Sequence, residues 1–333
     1  MFLETSLTEL REAPLTVKQF IEFCLYHPQH GYYMTKSVFG TDGDYVTSPE
    51  ITQVFGELLA IWCLNFLKNM PTAPASIALI ELGPGRGTMM TDILRVFEHF
   101  PEIYDLLTVY LLEISPTLKE QQRQKLSNYR VEWIHNMQDI PMSDATFILA
   151  NEFFDALPIE QYVYIDNKWL LRKIGWVDNK IDFLGPKNVP VRQICPDYEI
   201  YMRAINQRLK SSKGAAIIID YGDDTTCDHI HGDTLQAVHK HKRASTFDYI
   251  GHQDLSHAVD FGALKRLADS AFSICLTTQR EFLLEAGLDA RVKSLLQKAS
   301  PTDACLLNAA AARLIAPSAM GQLFKVLTIR AAA

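Results

Sequence analysis

A glycine-rich segment is the part of this sequence best suited to hold a ligand. The run Glu81-Leu82-Gly83-Pro84-Gly85-Arg86-Gly87 follows the apolar stretch Ile77–Ile80 and precedes a helical pattern. Glycines at alternate positions let the backbone approach a bound molecule closely, and N–H groups at a helix start favour an anion, either a carboxylate or a phosphate. We therefore predict an anion-binding turn at Gly83, Gly85 and Gly87.

The spacing of these glycines distinguishes two classes of ligand. Dinucleotide sites generally need Gly-x-Gly-x-x-Gly, whereas the third glycine here comes one residue early. Class I methyltransferases use Gly-x-Gly-x-Gly, with an acid two positions before the first glycine, for the amino-acid end of S-adenosylmethionine (SAM). Glu81 is at that acidic position. The spacing favours SAM over a nicotinamide cofactor, and a tight turn without a ligand is the structural alternative.

Two further acids follow predicted strands and are candidates for the rest of the cofactor. Glu113 ends the second strand of the pattern, where a carboxylate can accept hydrogen bonds from both ribose hydroxyls. Its alternative role is to cap the helix that starts at Ser115-Pro116. Asp139 follows the third strand and is placed to meet the adenine amino group, although turns commonly carry an acid for their own geometry.

Polar side chains also follow the fourth predicted strand, Thr146–Ala150. They are Asn151, Glu152 and Asp155. Because the carboxyl ends of strands in open parallel sheets face the ligand crevice, these three residues are the candidates for catalysis. The alternative is that Asn151 caps a helical turn and both acids are solvated.

The elements around these residues alternate between strands and helices. This alternation predicts an α/β, Rossmann-like fold with a mostly parallel sheet covered by helices. A helix is also expected at Val17–Tyr26, and a longer one capped by Ser48 should continue to Leu67. The expected strands are Ile77–Leu82, Val109–Leu112, Val131–Ile134, Thr146–Ala150, Ala215–Asp220 and Leu323–Ile329.

The same pattern divides the chain into three parts. Residues 1–70 form an N-terminal helical and lid segment, and residues 71–160 with 213–333 form the cofactor-binding core. Residues 161–212 form an inserted, hairpin-rich lobe. Within the core, the polar residues 223–253 are expected to form a long surface excursion.

Composition restricts the functional classes. The 333 residues are 48% hydrophobic and carry a formal charge of −7, which gives no long-range attraction to nucleic acid or to anionic membranes. The six cysteines contain no Cys-x-x-Cys pair, so reduced thiols are expected. We expect a cytoplasmic protein without nucleic-acid or membrane partners, because neither a targeting segment nor a membrane-spanning apolar run is visible.

A cluster of histidines raises the alternative of a metal site, since imidazoles are common zinc and copper ligands. Their spacing matches no familiar zinc pattern, and no cysteine pair accompanies them, so exposed loop histidines and no bound metal are expected. The cluster comprises His229, His231, His239, His241, His252 and His257.

Several long motifs, in order along nearly the whole chain, resemble the MidA family of SAM-dependent methyltransferases. The family's mitochondrial members assist assembly of respiratory complex I by dimethylating an arginine of a core subunit. The matching segments are Gly43–Ile51, Gln53–Leu59, Glu81–Thr88, Leu112–Pro116, Ala150–Pro158, Ile219–Gly222 and Met320–Leu327.

The resemblance implies a methyltransferase core with an additional lobe, SAM as methyl donor and a protein arginine as acceptor. Glu152 and Asp155 are then candidates for clamping the guanidinium, with Asn151 near the reacting centre. Glu50 is a third candidate, or it stabilises the N-terminus of its own helix. The chain departs from the family at Asp254–Phe261, where the histidine is shifted by one position, so His257 receives no catalytic role.

Three points stay open at this stage. Residues Gly43–Ser48 are either a lid over the cofactor or an ordinary connection. The protein is either an enzyme or a scaffold that keeps the fold and binds a partner, for which the insertion at Gln161–Phe183 offers a docking edge. A homodimer is compatible with the sequence.

Overall fold

The computed structural model describes residues 13–35, 47–226 and 230–331. The lid prediction at Gly43–Ser48 therefore falls largely outside the described residues. The strands of the described part run, in chain order, β1 (Leu15–Thr16), β2 (Ile77–Leu82), β3 (Leu107–Leu112), β4 (Val131–Ile134), β5 (Ala145–Asn151), β6 (Glu160–Ile165), β7 (Lys168–Leu171), β8 (Lys173–Val177), β9 (Lys180–Phe183), β10 (Val191–Ile194), β11 (Lys213–Asp223), β12 (Ile230–His231), β13 (Gln236–His239), β14 (Lys242–Ala244), β15 (Asp254–Ser256), β16 (Val259–Asp260), β17 (Ser273–Thr278) and β18 (Phe324–Arg330).

The helices lie mainly between these strands, and a short 3-10 turn occupies Met137–Asp139. The helices of the described part are α1 (Val17–Tyr26), α2 (Tyr32–Thr35), α3 (Ser48–Ile51), α4 (Val54–Lys68), α5 (Thr88–Phe97), α6 (Pro101–Tyr104), α7 (Pro116–Lys125), α8 (Asp197–Ser211), α9 (Phe261–Leu267), α10 (Gln279–Glu285), α11 (Leu288–Leu296), α12 (Pro301–Ile315) and α13 (Met320–Leu323).

The chain divides into two compact units. Unit 2 comprises residues 46–154, 202–222 and 268–333 and contains the main sheet, in the order β17-β18-β11-β5-β2-β3-β4. The strands from β11 to β4 are parallel, and β18 runs antiparallel between β11 and β17. Chain order reverses between β2 and β5, which is where doubly wound sheets open a ligand crevice at the carboxyl ends of their strands. The predicted Rossmann-like fold is confirmed.

The centre of this sheet is shielded from solvent. All residues of β2 and β5 are buried, as expected of parallel strands covered on both faces. Helices α4 and α5 pack closely because Gly56 leaves room: a Cβ there would lie 2.7 Å from the Cβ of Asp92. This packing holds the start of α5, and with it the glycine turn, against the end of β2.

The predicted long helix from Ser48 is wrong in two details. Ser48 is the first residue of α3 rather than its cap, and the helix is interrupted because Thr52 is extended (φ −163°, ψ 143°). The predicted helix start at Ser115-Pro116 is confirmed, and Ser115 caps α7 by accepting a hydrogen bond from the N–H of Leu118 at 3.3 Å. β17 and α11 were not predicted.

Unit 1 comprises residues 1–45, 155–201 and 223–267. Its described residues form three small antiparallel sheets, ordered β1-β8-β9, β12-β10-β6-β7 and β14-β13-β15. In the last sheet, β13 and β14 lie in the predicted excursion 223–253 and β15 follows it directly, so the excursion contains more regular structure than its polar composition indicated.

This grouping differs from the predicted division in several places. Residues 46–70 and 202–212 belong with the core in unit 2, and α4 packs on α5 there. Residues 155–160 and 223–267 belong with most of the hairpin-rich lobe in unit 1. One described stretch, Pro301–Leu323, meets length and composition criteria for crossing a membrane, with a mean hydropathy of 1.2 and 17% of it buried. This stretch is broken between α12 and α13 and is weak support for a membrane span.

Candidate active site

The glycine turn connects the end of β2 to the start of α5. Gly83, Gly85 and Gly87 have φ angles of 62°, 54° and 76°, a region that side chains with a Cβ rarely adopt. The N–H of Gly87 donates to the carbonyl oxygen of Pro84 at 2.8 Å, which closes the turn. Among the described residues no side chain caps the first turn of α5. The turn therefore presents backbone N–H groups at a helix N-terminus, which suits a carboxylate.

Two buried side chains beside the turn carry acceptor atoms without a partner. They are Oε2 of Glu81, near the end of β2, and Oδ1 of Asn151, the last residue of β5. Within the described part of the chain neither atom has a hydrogen-bond partner, although Glu81 is only 3% and Asn151 only 9% exposed. Since buried polar atoms are normally satisfied, both are suited to a ligand that donates hydrogen bonds.

Burial also changes the acidity of Glu81. Burial, together with the smaller effect of the nearby charge of Glu113, raises the pKa of the carboxyl to about 8. A cationic ligand group beside Oε2 would favour the ionised form and lower the pKa again. Glu81 is thus suited to receive an ammonium group.

Glu113 follows β3 directly and is 7% exposed. Its Oε1 accepts from the N–H of Ser115 at 2.8 Å, and its Oε2 accepts from Nε2 of Gln122 at 3.1 Å. Burial raises the pKa of Glu113, and these hydrogen bonds act in the opposite direction. Glu113 therefore has the alternative role that the sequence left open, because it accepts a hydrogen bond at the start of α7. Binding of the ribose remains a prediction.

Gln122 is a site residue that the sequence reasoning missed. Its fully buried amide donates to the carbonyl oxygen of Gly85 at 2.7 Å as well as to Glu113, and its Oε1 accepts from Nε1 of Trp133 at 2.8 Å. One side chain thus fixes the glycine turn relative to the end of β3. A glutamine inside a helix of otherwise polar composition gives no sequence signal for this role.

Glu50 joins α3 to the first residue of α5. Its Oε1 accepts from the hydroxyl of Thr88 at 2.5 Å, and its Oε2 lies 3.9 Å from Nη1 of Arg86. Lys125 donates to the same hydroxyl at 2.5 Å. Glu50 therefore lies at the N-terminus of α5 instead of stabilising only its own helix.

Glu152 is held in a strained backbone conformation at the end of β5. Its φ of +50° is unusual for a residue with a side chain, and its N–H donates to the carbonyl oxygen of Ile219 at 2.9 Å. Oε1 accepts from the N–H of Ser48 at 3.0 Å and from Nδ2 of Asn151 at 3.1 Å. Burial raises the pKa of Glu152, while these hydrogen bonds and the charge of Arg313 oppose the increase.

The remaining two predicted site residues are less closely tied to this group. Asp139 is exposed at the end of the 3-10 turn, where its N–H donates to the carbonyl oxygen of Asn136 at 3.1 Å, so its predicted contact with adenine remains a prediction. Asp155 begins the second segment of unit 1, and its carbonyl oxygen accepts from the N–H of His257 at 3.0 Å. Its predicted catalytic role also remains a prediction.

His257 lies between β15 and β16 in a segment that is not helical. It is 2% exposed, with Nδ1 3.0 Å from the carbonyl oxygen of Ala258 and Nε2 2.9 Å from that of Leu157. Burial lowers its pKa to about 4. Because a neutral imidazole carries one N–H, one of the two nitrogens donates to its carbonyl oxygen, and both contacts lie within unit 1. Of the histidines predicted as a cluster, His229 lies outside the described residues, and the described part of the chain contains no group of three or more metal-ligating side chains.

Unit 2 thus brings together most of the predicted site. The glycine turn, Glu81, Glu113, Asn151 and Glu152 lie at the carboxyl ends of the adjacent strands β2, β3 and β5. The arrangement offers N–H groups to an anion, buried acceptors to a cation or amide and a hydrogen-bonded carboxylate beside them. It can bind an amino-acid-bearing nucleoside and orient a second polar group.

Comparison with protein families agrees with this chemistry. Residues 58–193 and 187–278 match a family described as "Putative S-adenosyl-L-methionine-dependent methyltransferase". The protein arginine methyltransferase NDUFAF7, mitochondrial, of Xenopus tropicalis is 34% identical over 332 residues, which cover 86% of this chain and 75% of the relative. Its Homo sapiens counterpart is 32% identical, covering 93% of this chain and 79% of the relative.

These relatives also correct one expectation. A cytoplasmic location is wrong on this comparison, because the curated relatives are named mitochondrial proteins.

The fold has a solved counterpart. A structure from Burkholderia thailandensis bound to S-adenosyl-homocysteine superposes with a TM-score of 0.80 at 22% identity, covering 98% of this chain and 90% of that chain. The prediction of SAM as cofactor is confirmed by the family match. Given the extent of these matches, the chain belongs to the MidA family of SAM-dependent methyltransferases.

Proposed function

We propose that this protein transfers a methyl group from SAM to an arginine side chain of a protein. The observation that carries the proposal is the pair at the end of β5: the unpartnered, buried Oδ1 of Asn151 beside the hydrogen-bonded carboxylate of Glu152. Both relatives described above are named protein arginine methyltransferases, which supports this acceptor, and their names support a mitochondrial location.

The residues of unit 2 fit the cofactor group by group. Backbone N–H groups at the glycine turn and the start of α5 would hold the carboxylate, and Oε2 of Glu81 would accept from the ammonium group. Glu113, oriented by Gln122, would accept from the ribose hydroxyls. When bound, SAM supplies a methyl group activated by its sulfonium.

The acceptor side needs orientation more than covalent chemistry, because methyl transfer is an in-line displacement. Both hydrogen bonds to the Glu152 carboxylate use Oε1, and charge-assisted pairing of Oε2 with a guanidinium would aim one nitrogen at the methyl group. A guanidinium would also favour ionised Glu152 against the effect of burial on its pKa. We also propose that Asp155 contributes to binding the acceptor.

Replacing Glu152 tests the acceptor side separately from the cofactor side. Glu152→Gln keeps the shape and the acceptor oxygen but removes the charge, so we expect unchanged SAM affinity and a loss of about a hundredfold or more in methyl transfer. Calorimetry measures the affinity, and label transfer from radioactive SAM to proteins of a strain lacking this gene measures the turnover. Mass spectrometry of the labelled band identifies the modified residue.

The matched control is Glu160→Gln, an acid at the start of β6 whose carboxylate accepts from the hydroxyl of Tyr162 at 2.6 Å. It should leave both measurements unchanged. Normal turnover in Glu152→Gln would remove Glu152 from the mechanism, and label on a residue other than arginine would refute the proposed acceptor.

A non-catalytic scaffold is the competing function. Cells that carry a variant unable to bind SAM discriminate between the two, because a scaffold needs only its partner-binding surface. Full function of such a variant would refute methyl transfer as the biological role.

A further inference from the structure

The two edges of the main sheet are protected to different degrees. At one edge, β4 has only four residues, carries the exposed Glu132 and has its Trp133 covered by the guanidinium of Arg123 at 5.3 Å. At the other edge, β17 has six residues, Ser-Ile-Cys-Leu-Thr-Thr, and none is charged. Natural sheets usually block an open edge by shortness, charge or proline, and β17 has none of these features.

The outer side of β17 is available for pairing. Its inner side pairs with β18 along all six residues, and within the described part of the chain no strand pairs with its outer side. In an antiparallel edge strand, alternate residues direct both N–H and C=O outward. Cys275 in the middle of the strand is exposed and carries a free thiol.

A groove lies beside this edge on one face of the sheet. It has a volume of about 730 Å³ and is lined from three directions by α4, α10 and β17, with Trp62, Phe66 and Phe282 as its aromatic wall. The Trp62 ring lies 6.5 Å from the ring of Phe282 and 5.1 Å from the guanidinium of Arg330. A six-residue strand pair alone buries less than a stable interface needs. The groove, which is also lined by Lys213, Glu285 and Arg330, adds a surface of mixed polarity beside the strand.

We propose that a second copy of this chain occupies this edge, with β17 pairing antiparallel to β17 of the partner. The strand is compatible with itself because pairing two uncharged copies brings no like charges together. The two-fold axis then passes through the joined sheet between the two strands, and the two grooves lie on the same face, one on each side of the axis. The inference does not depend on the methyl acceptor.

A charge placed in the strand tests the proposal. In Cys275→Lys, two lysines face each other near the axis, so we expect the dimer to dissociate at least about tenfold more readily than the wild type. Light scattering coupled to size exclusion, over a dilution series, measures the mass. Cys305→Lys is the matched control, because Cys305 is the other exposed free cysteine of the described residues and lies on α12, outside the groove. It should remain a dimer.

Unchanged SAM affinity and an unchanged far-ultraviolet circular dichroism spectrum in Cys275→Lys would show that the variant is folded. A short thiol-directed cross-linker, used in a background with Cys227→Ser and Cys305→Ser, gives a second readout. Wild-type Cys275 should cross-link two chains, and Cys275→Ser should abolish the product. A wild-type protein that is monomeric at tens of micromolar overturns the proposal. If Cys275→Lys then weakens the binding of a different protein, that protein and not a second copy occupies the edge.

Discussion

The carboxyl group of Glu81 is buried at a position where the described residues satisfy it incompletely. The side chain is buried in the fully buried strand β2, and its Oε2 has no hydrogen-bond partner among the described residues. An unsatisfied buried acceptor destabilises the folded state, and such positions are tolerated where a ligand supplies the missing donor. The same atom that weakens the free protein therefore fits the ammonium group of SAM.

The raised pKa of Glu81 gives a stability prediction with a defined sign. Because the folded-state pKa is about 8 and the ordinary value is 4.5, the folded state holds the proton more tightly. The contribution of Glu81 is fully present below pH 4.5 and is lost as the pH rises to 8, by up to about 1.4 kcal/mol per pH unit. Glu81→Gln lacks this loss, so its melting temperature should exceed that of the wild type increasingly from pH 5 to pH 8.

The comparison needs a control and a ligand measurement. Glu120→Gln, an exposed acid on α7, should follow the wild type at every pH. SAM should bind Glu81→Gln more weakly, since an amide cannot pair with ammonium as a carboxylate does. Parallel melting curves for wild type and Glu81→Gln would show that Glu81 titrates normally in the folded protein.

At the scale of elements, the glycine turn links β2 to α5 through three residues with positive φ. In Gly85→Val a β-branched side chain would enter a φ of 54°, which costs about 1–3 kcal/mol, and would occupy space that the ligand needs. We expect SAM binding to be lost in calorimetry. Unaltered affinity would count against the whole site.

Gly287→Val separates the backbone cost from the loss of ligand space. Gly287 also lies in unit 2, precedes a helix with a φ of 100° and has no atom within 4 Å of an added Cβ. The variant should lose a similar amount of stability and keep its affinity for SAM. Loss of binding in both variants would mean that global destabilisation explains the effect.

Elements with strong local patterns could be predicted from the sequence. The bounds of β2 and β5 and the start of α7 were predicted to within one or two residues from the apolar runs and from the Ser-Pro helix start. Burial and capping act over a few residues, so the local sequence carries these signals. β17 was not predicted, since its pairing partner β18 follows 45 residues after its end. The bonds of Gln122 to Gly85 and of Ser48 to Glu152 were also not predictable, because each joins residues distant in sequence.

For the whole molecule, the division into two units separates the predicted site residues. The glycine turn, Glu81, Glu113, Asn151 and Glu152 lie in unit 2, whereas Asp155 and the three small sheets lie in unit 1. A ligand that contacts only the site residues of unit 2 stabilises the segments of unit 2 whose local unfolding would release it. Cofactor binding should therefore slow hydrogen exchange more in unit 2 than in unit 1.

Hydrogen exchange with and without S-adenosylhomocysteine measures this difference. At about 100 times the dissociation constant, the ligand should raise the free energy of opening of its site by about 2.7 kcal/mol, which slows exchange about a hundredfold. We expect this protection at β2, the glycine turn and α5, and a smaller effect at β13 and β15 of unit 1. The Gly85→Val variant should show no protection at either place. Equal protection of β13 and the glycine turn in the wild type would contradict a cofactor site confined to unit 2.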